Sequence, residues 1–230
     1  MVQLFFRLLA MLPAGARRKL VRSGMELIWN RYVEEHVHGR EQIPDGPCLF
    51  ICNHLSNADG YTLVRALRPK RVFFLAGVKL QGTLLTRVGA EAVETIPIRP
   101  NSADVEAFKR AVEMLKQGNS VLIFPEGTRS RNGELLPAKR GAALIARRAG
   151  VPVVPVALAG TEKFLPINDR DMGGEQPRHA RIDVWIGKPF AVGDLAVAAA
   201  AGEDERQLLA DAMMRRVAEL LPQAYRGHYS

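Results

Sequence analysis

From residue 47 onward the chain alternates short runs that are apolar throughout with segments whose apolar residues recur at helical spacing, and no other feature constrains the fold as strongly. Strands are predicted at Cys48–Asn53, Arg71–Leu75, Ala92–Ile98, Ser120–Phe124, Val151–Leu158 and Arg181–Ile186. Helices are predicted at Gly60–Leu67, near Leu80–Val88, and over Ser102–Lys116, Lys139–Arg148 and Glu203–Leu221, with Asp194–Gly202 an alanine-rich connector. In the third of these, Val105, Phe108, Val112 and Leu115 share a face and Gly118 ends the helix. A strand that is apolar on both sides has both faces covered, and strands separated by helices pair in parallel. The expected fold is therefore α/β: a mainly parallel central sheet flanked by helices, occupying residues 36–230. Ligands of such sheets collect beyond the carboxyl ends of the strands, so chemistry is sought there.

Residues 1–35 read as two helices broken at Pro13-Ala14-Gly15. In the second, Val21, Met25, Ile28, Trp29 and Tyr32 form one apolar stripe, with Arg7, Arg17, Arg18, Lys19, Arg22 and Arg31 around the pair. That pattern suits a membrane-associating segment lying in a lipid interface, and it equally suits an amphipathic helix packed on the domain with a solvated basic rim. No apolar run reaches the ~18–20 residues of a spanning helix. The start lacks the small-residue cleavage pattern of a secretory signal and is read as retained. The formal charge of +8 favours anionic partners without choosing among nucleic acid, lipid surface and phosphate-bearing substrates. Cys48 and Cys52 share a strand face too far apart for easy bridging and read as reduced core thiols of a cytoplasmic protein. No further ligands are spaced near them for zinc, so no metal is assigned.

Three motifs carry chemistry. In Asn53-His54-Leu55-Ser56-Asn57-Ala58-Asp59 the histidine follows an apolar strand directly. On one helix, residues five apart point about 140° from each other, so a turn must intervene, with Ser56 or Asn57 capping a helix that holds Asp59 in its first turn. Folded so, Asp59 fixes the tautomer of His54 and raises the basicity of its other nitrogen, which then removes a proton from a hydroxyl. The competing reading is a surface histidine followed by an aspartate favoured by a helix dipole. Phe124-Pro125-Glu126-Gly127-Thr128-Arg129-Ser130-Arg131 opens on the same sheet edge. Gly127 allows positive φ or close approach, Thr128, Ser130 and nearby amides donate to an oxyanion, Arg129 and Arg131 offer forks for phosphate, and Glu126 holds a substrate hydroxyl or orients an arginine. A polar turn with solvated arginines is the alternative. In Ile96-Pro97-Ile98-Arg99-Pro100 the cation ends an apolar strand, where Arg99 and Arg129 together would clamp one phosphate, or where Arg99 is an ordinary surface arginine. Val151–Leu158 reads as a core strand.

These elements, in this order over roughly residues 40–165, resemble the glycerolipid acyltransferase family that includes the 1-acylglycerol-3-phosphate acyltransferases. The resemblance implies that His54 is the general base and Asp59 its orienting partner. It makes Glu126, Gly127, Thr128 and Arg129 a substrate-binding block, and Arg99 a second phosphate-binding arginine, although Ile-Pro-Ile stands before it where many relatives place an aromatic residue or aspartate. It implies no metal and no cofactor, with acyl-CoA or an acyl carrier protein thioester as cosubstrate. The expected reaction moves the acyl group to the free hydroxyl of 1-acylglycerol-3-phosphate, making phosphatidic acid for phospholipid biosynthesis. The expected partners are lysophospholipid, acyl thioester, acyl carrier protein and an anionic membrane surface, with no nucleic acid. The expected location is the cytoplasmic face of the cell membrane, held peripherally or monotopically. Alternatives are the same chemistry on another lysophospholipid, an amino-acid lipid or glycerol-3-phosphate; a metal-assisted hydrolase on His54, Asp59 and Glu126; and a non-catalytic binder of anionic lipid or nucleic acid.

Overall fold

The computed structural model describes residues 12–77, 93–99, 104–168, 175–195, 197 and 203–230. Its elements run α1 (Ala14–Tyr32), β1 (Val33–His38), β2 (Leu49–Cys52), α2 (Asp59–Ala66), β3 (Val72–Gly77), β4 (Glu94–Ile98), α3 (Val105–Lys116), β5 (Ser120–Ile123), α4 (Gly141–Ala149), β6 (Val153–Ala159), α5 (Thr161–Phe164), β7 (Ala180–Ile186) and α6 (Glu205–Ala218). The seven strands form one sheet in the order β1-β7-β6-β2-β5-β3-β4. Every pairing is parallel except β6 with β7, so β1 and β7 run against the other five.

Alternation along β2 shows why its sequence is apolar throughout. Leu49 and Ile51 enter a core with residues of α3, α4 and α6, among them Leu115, Ile145 and Met213. Phe50 and Cys52 enter the opposite core with Trp29 of α1, Leu63 of α2, Phe164 of α5 and Val184 of β7. Strands covered on both faces carry no polar side. In β6, Pro155 lacks the N–H that a central strand normally needs. It sits where the β6–β7 ladder stops at Ile186; the next residue, Gly187, donates to the Pro155 carbonyl at 2.8 Å. A Cβ on Gly187 would fall 2.8 Å from Pro155 Cγ, so the glycine makes room for the ring.

The structure revises several local expectations. The N-terminal helix stops at Tyr32, and β1 begins at Val33 and pairs with β7 along its whole length, so a boundary at residue 35 falls inside a strand. The Val33–His38 run alternates Val33, Glu35, Val37 with Glu34, His36, His38, a period of two on an edge strand. The stripe on α1 packs on the domain. Val21 and Trp29 are buried, Met25 and Tyr32 pack against the same core, and only Ile28 of the five faces outward. Trp29 meets Tyr61 and Phe164 edge-on at 5.5 and 5.4 Å, contacts worth about 0.5–1.5 kcal/mol each beyond area burial. On α3 the buried face is Ala107, Ala111, Val112 and Leu115, whereas Val105 is exposed; Asp104 caps the helix through Ala107 N–H. The short α5 was not anticipated. The expected first N-terminal helix, the helix near Leu80–Val88 and most of the Asp194–Gly202 connector lie outside the described residues.

Candidate active site

His54 stands two residues past β2, and Glu126 three residues past β5, its parallel neighbour. Both motifs therefore open on one sheet edge. After His54 the chain turns, and Asp59 N–H bonds to the Ser56 carbonyl at 3.2 Å as α2 begins. That turn brings Asp59 Oδ2 to 2.7 Å from His54 Nδ1. The same oxygen accepts the amides of Leu55 at 2.6 Å and Ser56 at 2.9 Å. An oxygen that accepts two backbone N–H groups is an acceptor toward the ring as well, so Nδ1 carries the proton and Nε2 is left with its lone pair. Asp59 is fully buried, while the His54 side chain keeps 24% of its exposure. Phe124 stacks on the imidazole at 4.1 Å and 13°, which fixes the plane of the ring.

Glu126 joins the two loops. Its Oε1 accepts His54 N–H at 2.8 Å and its Oε2 accepts Leu136 N–H at 2.9 Å. A return bond runs from Ser130 N–H to the His54 carbonyl at 2.8 Å. Burial pushes the Glu126 carboxyl up to about 8 against the pull of those two amides, and the Asp59 charge adds to the rise. Gly127 takes φ +67°, and a Cβ there would lie 2.8 Å from Lys139 Nζ, so the glycine lets the lysine chain lie across the turn. Gly127 and Thr128 are exposed, and Arg129 is half-buried.

Of the oxyanion donors named from the sequence, the Ser130 hydroxyl donates to Asn132 Oδ1 and the Gly127 amide is engaged internally, as are the amides of His54, Leu55 and Ser56 in the neighbouring turn. Thr128 is the exposed member of that set. Arg99 is not brought to the pair. It follows the edge strand β4, its side chain is 74% exposed, and its Nε lies 3.3 Å from Asp104 Oδ2. Three inter-strand spacings separate β4 from β2, roughly 14 Å. Among the described residues no group of three or more His, Cys, Asp or Glu is arranged to hold a metal ion. Cys52 is buried, and desolvation together with the Asp59 and Glu126 charges pushes its thiol well up, away from the reactive thiolate.

Two supports had no sequence signal. Glu175, fully buried, accepts Arg129 Nη1 at 3.1 Å and Asn57 Nδ2 at 2.6 Å; it sits in a polar run, 46 residues from Arg129, within no motif. The segment 225–229 brackets the loop after Glu126. Leu135 N–H donates to the Tyr225 carbonyl at 2.9 Å, His228 N–H to the Leu135 carbonyl at 3.1 Å, and Ala138 N–H to the Tyr229 hydroxyl at 2.8 Å. The Tyr229 hydroxyl in turn donates to Asp211 of α6 at 2.7 Å.

The sequence pattern of the acyltransferase family matches residues 34–159, more than half of the chain. The chain belongs to the acyltransferase family. Within it, the chain is 34% identical over 164 residues to the chloroplastic 1-acyl-sn-glycerol-3-phosphate acyltransferase BAT2 of Brassica napus, covering 69% of this chain and 46% of that one. It is 33% identical over 160 residues to the chloroplastic 1-acyl-sn-glycerol-3-phosphate acyltransferase LPAT1 of Arabidopsis thaliana, covering 67% of this chain and 43% of that one. The chain thus spans less than half the length of these relatives. The crystal structure of the 1-acyl-sn-glycerophosphate acyltransferase PlsC of Thermotoga maritima superposes with a TM-score of 0.59 at 25% identity, covering 95% of this chain and 88% of that one. The acyltransferase match takes in β1 through β6, and with them His54, Asp59, Arg99 and the Glu126–Arg129 block.

Proposed function

We propose that this chain transfers a fatty acyl group from acyl-CoA or an acyl carrier protein thioester to the free hydroxyl of 1-acylglycerol-3-phosphate, forming phosphatidic acid. The observation that carries the reading is the 2.7 Å contact of Asp59 Oδ2 with His54 Nδ1, which leaves Nε2 as the basic atom at the sheet edge where the family motifs meet. Nε2 removes the acceptor's hydroxyl proton as the oxygen attacks the thioester carbonyl. The C–S bond breaks, and the proton passes from the imidazolium to the departing thiolate. Thr128, exposed on the loop after β5, is the donor this reading assigns to the oxyanion. No acyl-enzyme is needed, because burial keeps Cys48 and Cys52 as thiols. Arg129 holds the acceptor's phosphate. Arg99 follows a strand roughly 14 Å across the sheet from β2, so this reading assigns the phosphate to Arg129.

The reaction takes place on an anionic membrane surface, which this reading places on the cytoplasmic face of the cell membrane. Among the described residues no helix is long and apolar enough to cross a membrane. The outward side of α1 exposes Leu20, Leu27 and Ile28 beside Lys19 and Arg31, as an interfacial helix would. The test of the acceptor is a product assay by mass spectrometry with one long-chain acyl-CoA, one acyl carrier protein thioester and a panel of 1-acylglycerol-3-phosphate, other lysophospholipids, lyso amino-acid lipids and glycerol-3-phosphate. Phosphatidic acid as the dominant product supports the reading; equal or faster acylation of a phosphate-free acceptor contradicts it.

A further inference from the structure

Glu175 follows residues 169–174, which lie outside the described set, yet its own carboxylate is enclosed on both oxygens. One oxygen takes Arg129 Nη1, on the loop after β5, and the other takes Asn57 Nδ2, inside the turn between His54 and Asp59. The Arg129 side chain is only 16% exposed and that of Glu175 is fully buried. A carboxylate against one corner of a guanidinium fixes its plane and so the direction of its remaining donors. The second bond ties that plane to the turn that carries the base.

We propose that Glu175 is a positioning residue for the acceptor, holding the Arg129 guanidinium in register with the His54–Asp59 turn, so that a phosphomonoester bound on Arg129 presents its neighbouring hydroxyl to His54. The inference rests on the reading of Arg129 as the phosphate contact. The alternative role for a buried carboxylate here has the opposite sign. As a bare negative charge beside a phosphate, Glu175 repels the acceptor, and its neutralisation would tighten binding. As an orienting group, its neutralisation loosens binding although a repulsion has gone.

The test measures kcat and KM for 1-acylglycerol-3-phosphate and for acyl-CoA in the parent protein, Glu175→Gln, Arg129→Lys and the double variant, with thermal melts to confirm folding. The expected result is an acceptor KM raised about tenfold in Glu175→Gln, an unchanged acyl-CoA KM, and no additional rise when Glu175→Gln is placed on Arg129→Lys. An acceptor KM that is unchanged or lowered in Glu175→Gln, or raised equally in both backgrounds, overturns the assignment of Glu175 alone. An unchanged acceptor KM in Arg129→Lys overturns the phosphate role of Arg129 and this inference with it. Should Glu175→Gln melt below the assay temperature, Glu175→Asp, which keeps the charge and withdraws it by one methylene, is read by the same criteria.

Discussion

Glu126 links the histidine turn to the following loop with a carboxyl that burial pushes up to about 8. In the unfolded chain the same group releases its proton near 4.5, so between these values the folded state holds the extra proton. The stability this confers is complete below about pH 4.5 and is lost as pH rises through about 8. Glu126→Gln removes the ionisation, so its melting temperature is predicted to fall less steeply than the parent's between pH 5 and 8; equal slopes in the two melts would contradict the assignment. Sequence and structure meet most closely at this scale where the spacing is local. The five-residue step from His54 to Asp59, read with a turn between them, leads to the contact at 2.7 Å, although the N-cap of α2 is Ala58, with no side-chain cap, and not Ser56 or Asn57. The roles of Glu126 are less legible, because the amides it accepts belong to His54 and Leu136, 72 and 10 residues away along the chain. Glu175 was illegible for the same reason, since a lone carboxylate in a polar run acquires meaning only from what the fold packs against it.

Among the elements, the core strands were readable because burial on both faces leaves an uninterrupted apolar run, as in β2, β5 and β6. β1 was not, because an edge strand with one neighbour carries Glu34, His36 and His38 and lacks that signature. The stripe on α1 was found, but its side was ambiguous, since lipid and a protein core select the same residues. Arg65 of α2 holds α1 in place through Glu26, and reaches Glu35 of β1 at 3.1 Å. Its guanidinium also lies 5.3 Å over the Trp29 ring. Arg65→Ala is predicted to destabilise the chain by about 1–3 kcal/mol and to speed proteolysis within α1; unchanged denaturation and cleavage would show that α1 is held by its apolar contacts alone. Tyr229→Phe strips the hydroxyl shared by Ala138 N–H and Asp211. The expected loss is again about 1–3 kcal/mol in chemical denaturation. A lower kcat should accompany it, because the bracketed loop is the one that donates to Glu126; full stability together with full activity would remove segment 225–229 from the site's support.

For the whole molecule, the sheet gathers motifs distant in sequence onto one edge, and the helix α1 sets an apolar, basic surface outside the core. Deleting residues 1–35 would remove Trp29 and half of β1 together with any anchor. Substituting Leu20, Leu27 and Ile28 by serine touches only exposed positions. This triple variant is predicted to bind anionic vesicles at least tenfold more weakly in co-sedimentation at an unchanged melting temperature; undiminished binding would move the membrane contact elsewhere. The central claim is that His54 Nε2, poised by Asp59, deprotonates a lipid hydroxyl for direct acyl transfer. Its most direct test is thiol release from long-chain acyl-CoA on 1-acylglycerol-3-phosphate vesicles, run with the parent, His54→Ala and Asp59→Asn. The account predicts release that requires the acceptor, falls by about 10²–10⁴-fold in His54→Ala, and falls substantially in Asp59→Asn through loss of the correct tautomer. Acceptor-dependent release that persists at the parent rate in a folded His54→Ala protein would contradict it.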